Sequence, residues 1–216
     1  MKGQHTMTIP SLAPPTVQAT AARMVDLFEI EEFLDATTLA AIVAELHRVG
    51  GAPATVLSAQ RGGEVRPMVR KVMRLSVSSE TSALIKRLLL DRKPALEAHF
   101  NVALAECEEP QFLRYEPGDF FVAHQDGNTP LVWDDSRFRR VSAVILLSEQ
   151  SDEPTPETYG GGSLIFHGPY DGPSVRVTAR STAPGTLITF RSETTHEVTM
   201  VTHGLRYSIA TWLRGA

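Results

Sequence analysis

Tyr115-Glu116-Pro117-Gly118-Asp119-Phe120-Phe121-Val122-Ala123-His124-Gln125-Asp126 is the stretch from which the rest of the chain can be read. It reads as a strand, and strand side chains alternate between faces, so a His and an Asp two positions apart share one face. An imidazole nitrogen and a carboxylate oxygen aimed into one space are two of the three ligands of a 2-His-1-carboxylate metal site. The third candidate is His196, in Thr195-His196-Glu197-Val198. Ten residues on, Arg206 opens another candidate strand, and Ser208 points to the same face.

Outward from this stretch the texture stays β. Candidate strands are 111–115, 120–124, 141–148, 163–166, 174–178, 186–190, 197–201 and 206–213, separated by Gly/Pro/Asp turns. Such spacing predicts two sheets forming a sandwich or barrel. Two longer connections, 127–140 and the acidic 149–162, together with the loop 51–67, are expected to frame an entrance. Their Asp134, Asp135, Glu149, Asp152 and Glu153 make that entrance acidic. Upstream, 25–30 reads as a strand and 68–77 as another. Asp35 is placed to cap a helix carrying Leu39, Ile42, Val43 and Leu46, and Ser79 to cap a second carrying Leu84, Ile85, Leu88 and Leu89. Pro94 suits the first turn of a third helix, 94–104. The fold class expected is α+β, mainly β.

A chain of 216 residues, 42% apolar, suffices for one domain with a buried core. Residues 1–24 read as a disordered Pro/Thr/Ala-rich leader, and 25–216 as a single domain with helical support over 25–110 and a barrel core over 111–216. A formal net charge of −4 provides no basic field for nucleic acid or an anionic membrane. The single cysteine, Cys107, precludes an intramolecular disulfide and fits a reducing compartment. No window approaches the roughly 20 apolar residues of a membrane helix. A cytoplasmic protein is the expectation, and its oligomeric state is not written in the sequence.

Two imidazoles and a carboxylate occupy one face of a six-coordinate metal and leave three adjacent positions open. A guanidinium and a hydroxyl, Arg206 and Ser208, can together hold a carboxylate by a charge-assisted contact. Plainer readings stand beside these: a structural His124–Asp126 pair, a surface ion pair for Arg206, and a core aromatic in Tyr115. His47, His99, His167 and His203 read as surface, packing or turn residues. Zinc accepts the same ligands, so a metal hydrolase with Glu193 or Glu197 as general base is an alternative, and a non-catalytic binding barrel is another.

The spacing Tyr-x-x-Gly-x-x-Phe-x-x-His-x-Asp (Tyr115, Gly118, Phe121, His124, Asp126), the His196-Glu197-Val198 segment, the run Gly204 to Ile209 and the turn Gly161-Gly162-Ser163-Leu164 carry a resemblance. Over about half its length the chain resembles the iron(II)/2-oxoglutarate-dependent dioxygenases of the prolyl 4-hydroxylase-like family. That resemblance implies a double-stranded β-helix (jelly-roll or cupin-like) barrel supported by N-terminal helices. It implies Fe(II) held by His124, Asp126 and His196, and 2-oxoglutarate as cosubstrate with its distal carboxylate on Arg206. Tyr115 would face the cosubstrate pocket, Ser208 would be an auxiliary contact, and ascorbate is a candidate reductant. The implied reaction uses O2 to hydroxylate a C–H bond and decarboxylates 2-oxoglutarate to succinate. Its substrate would be a prolyl residue of a protein or peptide, or else a free amino acid or small metabolite. Leu147-Ser148-Glu149 and Ser163 depart from the animal members of the family and leave the substrate open.

Overall fold

Local signals set the helices, and their apolar faces then decide which side of the sheet they cover. In the computed structural model, which describes residues 25–57, 63–127, 134–168, 176–179 and 181–215, strand β1 (Leu27–Ile30) precedes helix α1 (Ala36–Leu46). Short strands β2 (Gly51–Pro53), β3 (Val56–Leu57), β4 (Gly63–Glu64), β5 (Arg70–Lys71) and β6 (Met73–Leu75) follow, then α2 (Ser79–Asp91) and α3 (Lys93–Phe100). The remainder is β: β7 (Leu104–Cys107), β8 (Gln111–Tyr115), β9 (Phe120–His124), β10 (Arg139–Leu146), β11 (Glu149–Gln150) and β12 (Thr158–Gly161). It continues through β13 (Leu164–His167), β14 (Arg176–Thr178), β15 (Leu187–Arg191), β16 (His196–Val198), β17 (Val201–His203) and β18 (Arg206–Gly215). The leader expected over 1–24 lies outside the described residues.

Two antiparallel sheets make the jelly roll. The major sheet runs β1-β15-β10-β18-β8-β6-β2, with β7 also beside β18, and the minor sheet runs β14-β13-β16-β9-β5. Alternation along the major strands builds two cores. Phe112, Val141, Ile145, Leu187, Ile209 and Leu213 face outward and pack with Ile42, Leu46, Ile85, Leu89, Leu96 and Phe100 of the three helices. Leu113, Tyr115, Leu146, Ile188 and Phe190 face inward and pack with Leu164, Phe166 and Val198 of the minor sheet. A sheet covered on both faces explains why β10 reads as a nearly unbroken apolar run. Burying side chains of this kind stabilises by about 1.5–3 kcal/mol each.

Asp35 caps α1 as expected, accepting from the Thr38 N–H at 2.8 Å. Elsewhere the boundaries differ for identifiable reasons. Helix α2 is capped by Ser78, whose Oγ accepts from the Thr81 N–H at 3.2 Å, and Ser79 is its first helical residue. The third helix stops at Phe100 because Asn101 adopts the left-handed conformation (φ 49°), and Leu104 begins β7 instead. The strand expected over 68–77 is two: β5 joins the minor sheet and β6 the major, with the buried Val72 between them. The strand expected over 197–201 is likewise divided between β16 and β17, which belong to different sheets. The loop 51–67 contains three short strands. The acidic connection 149–162 is anchored at both ends in a small sheet, β11-β12-β17, tied by Gln150 Nε2 donating to the Gly161 carbonyl at 2.8 Å. Among the described residues no helix is long and apolar enough to cross a membrane.

Candidate active site

His124 ends β9 directly opposite His196, which begins β16, in antiparallel register. Asp126 lies two residues past the end of β9, so strand alternation does not place it. Its N–H donates to the Ser192 carbonyl at 2.9 Å and that of Gly127 to the same oxygen at 3.1 Å. A Cβ on Gly127 would fall 2.0 Å from the Ser136 carbonyl oxygen, so only glycine permits this turn. The outcome is that one ligand atom from each of His124, Asp126 and His196 lies within 4.8 Å of the others. The His124 and His196 Nε2 atoms are each 3.5 Å from a different Asp126 oxygen.

Each imidazole is oriented through its far nitrogen. His124 Nδ1 donates to the Val122 carbonyl at 2.8 Å and His196 Nδ1 to the Thr194 carbonyl at 3.0 Å. A carbonyl can only accept, so the neutral rings carry their lone pairs on Nε2, aimed at the Asp126 carboxylate. Burial and the charge of His124 push His196 down to about 4, against the pull of Asp126. Burial alone would raise the Asp126 carboxyl, but the two imidazoles and the Ser142 hydroxyl overcome it and hold it ionised, well below the usual carboxylate range. Ser142 Oγ donates to Asp126 Oδ2 at 2.7 Å and sits 3.1 Å from Ser192 Oγ. With both rings neutral, three electron-rich atoms converge in a buried space, an arrangement that fits a divalent cation. The surrounding rings are also fixed: Phe121 stacks on His124 at 3.5 Å and Phe190 meets His196 edge-on at 4.6 Å.

On the facing sheet, Arg206, Ser208, Ala210 and Trp212 alternate inward from β18 into the same cavity of about 480 Å³. That volume lies within the usual range for small-molecule sites, about 300–1,000 Å³. Arg206 is 1% exposed. One terminal nitrogen donates to Ser208 Oγ at 2.8 Å, while its Nε is buried without any partner. Its guanidinium sits 5.0 Å from the Tyr115 ring, its register partner on β8. Tyr115 is buried and lines the cavity, and burial pushes its phenol up despite the neighbouring Arg206. A buried guanidinium without a counter-charge is costly on its own, and a carboxylate ligand would satisfy it. The Gly161-Gly162 turn backs onto this side chain. Gly162 has φ +58°, and a Cβ there would sit 2.8 Å from Arg206 Cδ.

With this geometry in place, the comparison with known proteins can be read. Residues 110–214, just under half of the chain, match the 2OG-Fe(II) oxygenase superfamily, and the matched span contains Tyr115, His124, Asp126, His196, Arg206 and Ser208. Among curated relatives, a PKHD-type hydroxylase of Shewanella baltica is 27% identical over 156 residues, 72% of this chain and 65% of that protein. A PKHD-type hydroxylase of Paracoccus denitrificans is 28% identical over 173 residues, 79% of this chain and 71% of that one. The chain thus spans just under two thirds of the Shewanella relative. A Pseudomonas putida prolyl-4-hydroxylase shares the fold, with a TM-score of 0.65 and 24% identity over 92% of this chain and 97% of that one.

Several site residues escaped the sequence reading. Ser142 holds Asp126, and its only sequence signal was a hydroxyl inside an apolar strand. Arg139 is fixed by Glu108 (2.9 and 2.7 Å), donates to the Asp126 carbonyl at 3.1 Å and lies 3.6 Å from the Trp212 ring. Arg70, on the two-residue strand β5, also lines the cavity. The expected acidic entrance is corrected by this lining. Of the five acidic residues named, only Asp134 lines the cavity, alongside Arg66, Arg70, Arg74, Arg139 and Arg206. Glu193 and Glu197, the hydrolase bases considered above, do not line it, and Glu197 pairs with Arg176 on the outside. His99 pairs with Asp26 at 2.8 Å and His47 packs on Tyr207, away from the site.

Proposed function

We propose that the chain is an Fe(II)- and 2-oxoglutarate-dependent hydroxylase in which His124, Asp126 and His196 hold the metal and Arg206, with Ser208, holds the distal carboxylate of 2-oxoglutarate. The observation that carries this is the pairing of a cation-shaped triad with a buried, unneutralised Arg206 in one cavity. When bound, the metal and cosubstrate supply the oxidising chemistry, in which O2 converts 2-oxoglutarate to succinate and CO2 and a substrate C–H becomes C–OH. The protein's share is placement. Asp126 and the two histidines would hold the metal, and the cavity beside them would take the cosubstrate and O2. The Nδ1 bonds and the Ser142 hydroxyl keep those ligands from rotating.

Tyr115 walls the cosubstrate side, and its ring lies over the Arg206 guanidinium. Leu113, Leu164 and Val198 line the cavity with apolar surface and limit water there. A prolyl residue of a protein or peptide is the first substrate class, supported by the shared fold of a prolyl-4-hydroxylase. A free amino acid or small metabolite is the second, supported by the cavity's size. A zinc hydrolase is disfavoured because no acidic side chain other than Asp126 and Asp134 lines the cavity among the described residues.

The test is succinate formation from 2-oxoglutarate with Fe(II) and O2, first without and then with prolyl peptides and free amino acids. His124→Ala and Asp126→Ala should abolish it. Succinate formation unchanged in both variants would overturn the ligand assignment.

A further inference from the structure

Arg70 is the second buried arginine of the cavity and is not among the residues proposed above to hold the metal or the cosubstrate. It is 7% exposed. Its two terminal nitrogens donate to neutral acceptors, the Thr55 carbonyl at 2.9 Å and Gln111 Oε1 at 3.0 Å. Its Nε is buried with no partner. Arg66 pairs with Glu64 at 2.9 Å and Arg139 with Glu108 at 2.7 Å, so those two charges are compensated. Arg70 is not.

Position makes this informative. Arg70 pairs in register with Phe121, and its guanidinium lies 4.9 Å from that ring. Phe121 in turn stacks on His124. The guanidinium therefore stands one aromatic ring away from a proposed metal ligand, on the minor sheet, whereas Arg206 projects from the major sheet. Charge balance separates their tasks. A divalent metal and Arg206 would neutralise the three negative charges of Asp126 and 2-oxoglutarate, and among the described lining residues only Asp134 is then left against Arg70 and Arg74. A buried cation in an arginine-lined cavity selects an anion.

We propose that the substrate carries a carboxylate and that Arg70 binds it, placing the C–H to be hydroxylated beside the metal. This rests on the reading given under Proposed function and names its substrate class: a free amino acid, or a peptide with an acidic side chain beside the target residue. Arg70 is then a specificity-determining residue, and the exposed Arg74 at the rim adds to the field that draws the anion in.

The experiment uses full-length protein loaded with Mn(II) and saturated with 2-oxoglutarate, so that Arg206 is occupied and no turnover occurs. Calorimetry then compares two matched pairs of probes: N-acetyl-proline against N-acetyl-prolinamide, and the acetylated, amidated dipeptide Pro-Asp against Pro-Asn. In wild type the acid of at least one pair should bind about tenfold or more tightly than its neutral partner. The pair that shows the preference identifies the source, free acid or peptide. The preference should vanish in Arg70→Met, survive in part in Arg70→Lys, and leave 2-oxoglutarate affinity unchanged in both. Equal binding within both pairs in wild type overturns the proposal even if no variant folds. So does a preference that persists in Arg70→Met, which would make Arg70 a strut between Thr55 and Gln111. Failure of 2-oxoglutarate itself to bind would strike the underlying functional reading instead.

Discussion

Replacing Arg206 by Met should separate stability from ligand binding, because the side chain is buried with its charge unmatched. Among the described residues its polar contacts are one bond to a neutral hydroxyl and the faces of Tyr115 and Tyr159. Removing one member of a buried charge-assisted pair costs about 2–5 kcal/mol of binding. For 2-oxoglutarate that is a loss of affinity of roughly 30- to 5,000-fold. The ligand-free protein should respond in the opposite sense. Exchanging a buried charge for an apolar side chain of similar length is neutral or stabilises by about 1–4 kcal/mol. In a domain of this size each kcal/mol moves Tm by about 2–4 °C. Calorimetric titration of 2-oxoglutarate into Mn(II)-loaded protein, with thermal unfolding of the metal-free form, measures both. A variant several degrees less stable that binds 2-oxoglutarate like wild type would refute the reasoning and make Arg206 a structural residue.

Other perturbations isolate other parts of the account. Gly162→Ala should weaken 2-oxoglutarate and spare Mn(II) affinity, because its Cβ would press on Arg206 Cδ from a backbone at φ +58°; equal losses of both would point to general misfolding. Ser142→Ala removes the hydroxyl donated to Asp126 and should weaken metal binding about 10–100-fold, with an unchanged far-UV spectrum. For pH, His196 takes a proton near the ordinary imidazole value of 6.5 when unfolded but, held down by burial, only at about 4 when folded. Between those values the unfolded chain binds more protons, so the metal-free protein should lose stability as pH falls through that window. Denaturant titrations of wild type and His196→Gln should show the slope flattened in the variant. Leu89→Ala, at the fully buried contact of α2 with the major sheet, should cost about 2–5 kcal/mol without changing the ligand affinities of the protein that remains folded.

What was legible in the sequence was a set of residues at short spacings. Strand geometry sets His124 opposite His196 and spaces Arg206-x-Ser208, whereas Asp126 is placed by a turn past the end of β9, and the structure gathers these residues around one cavity. Asp35 was legible because a cap acts on residues three positions away. The jelly roll followed from strand spacing and from the resemblance together. What could not be read depended on distant partners. The division of 68–77 between two sheets places Arg70 in the cavity, and a periodicity within ten residues does not show a sheet switch. The Arg139–Glu108 pair joins residues 31 apart, and Ser142 gains its role only through a turn fixed by Ser192. The acidic loop misled because charge by itself does not reveal which way a loop folds; this one is anchored at its two ends in the β11-β12-β17 sheet, and its Glu149, Asp152 and Glu153 do not line the cavity.

The most direct measurement is an anaerobic titration of the metal-free protein with Fe(II) and then 2-oxoglutarate, followed in the visible spectrum. The account predicts a weak metal-to-ligand charge-transfer band that saturates at one Fe(II) and one 2-oxoglutarate per chain and is absent in Asp126→Ala. Well-folded wild-type protein that develops no such band, or an Asp126→Ala variant that retains it in full, would contradict a single iron bound by His124, Asp126 and His196 beside a cosubstrate held by Arg206.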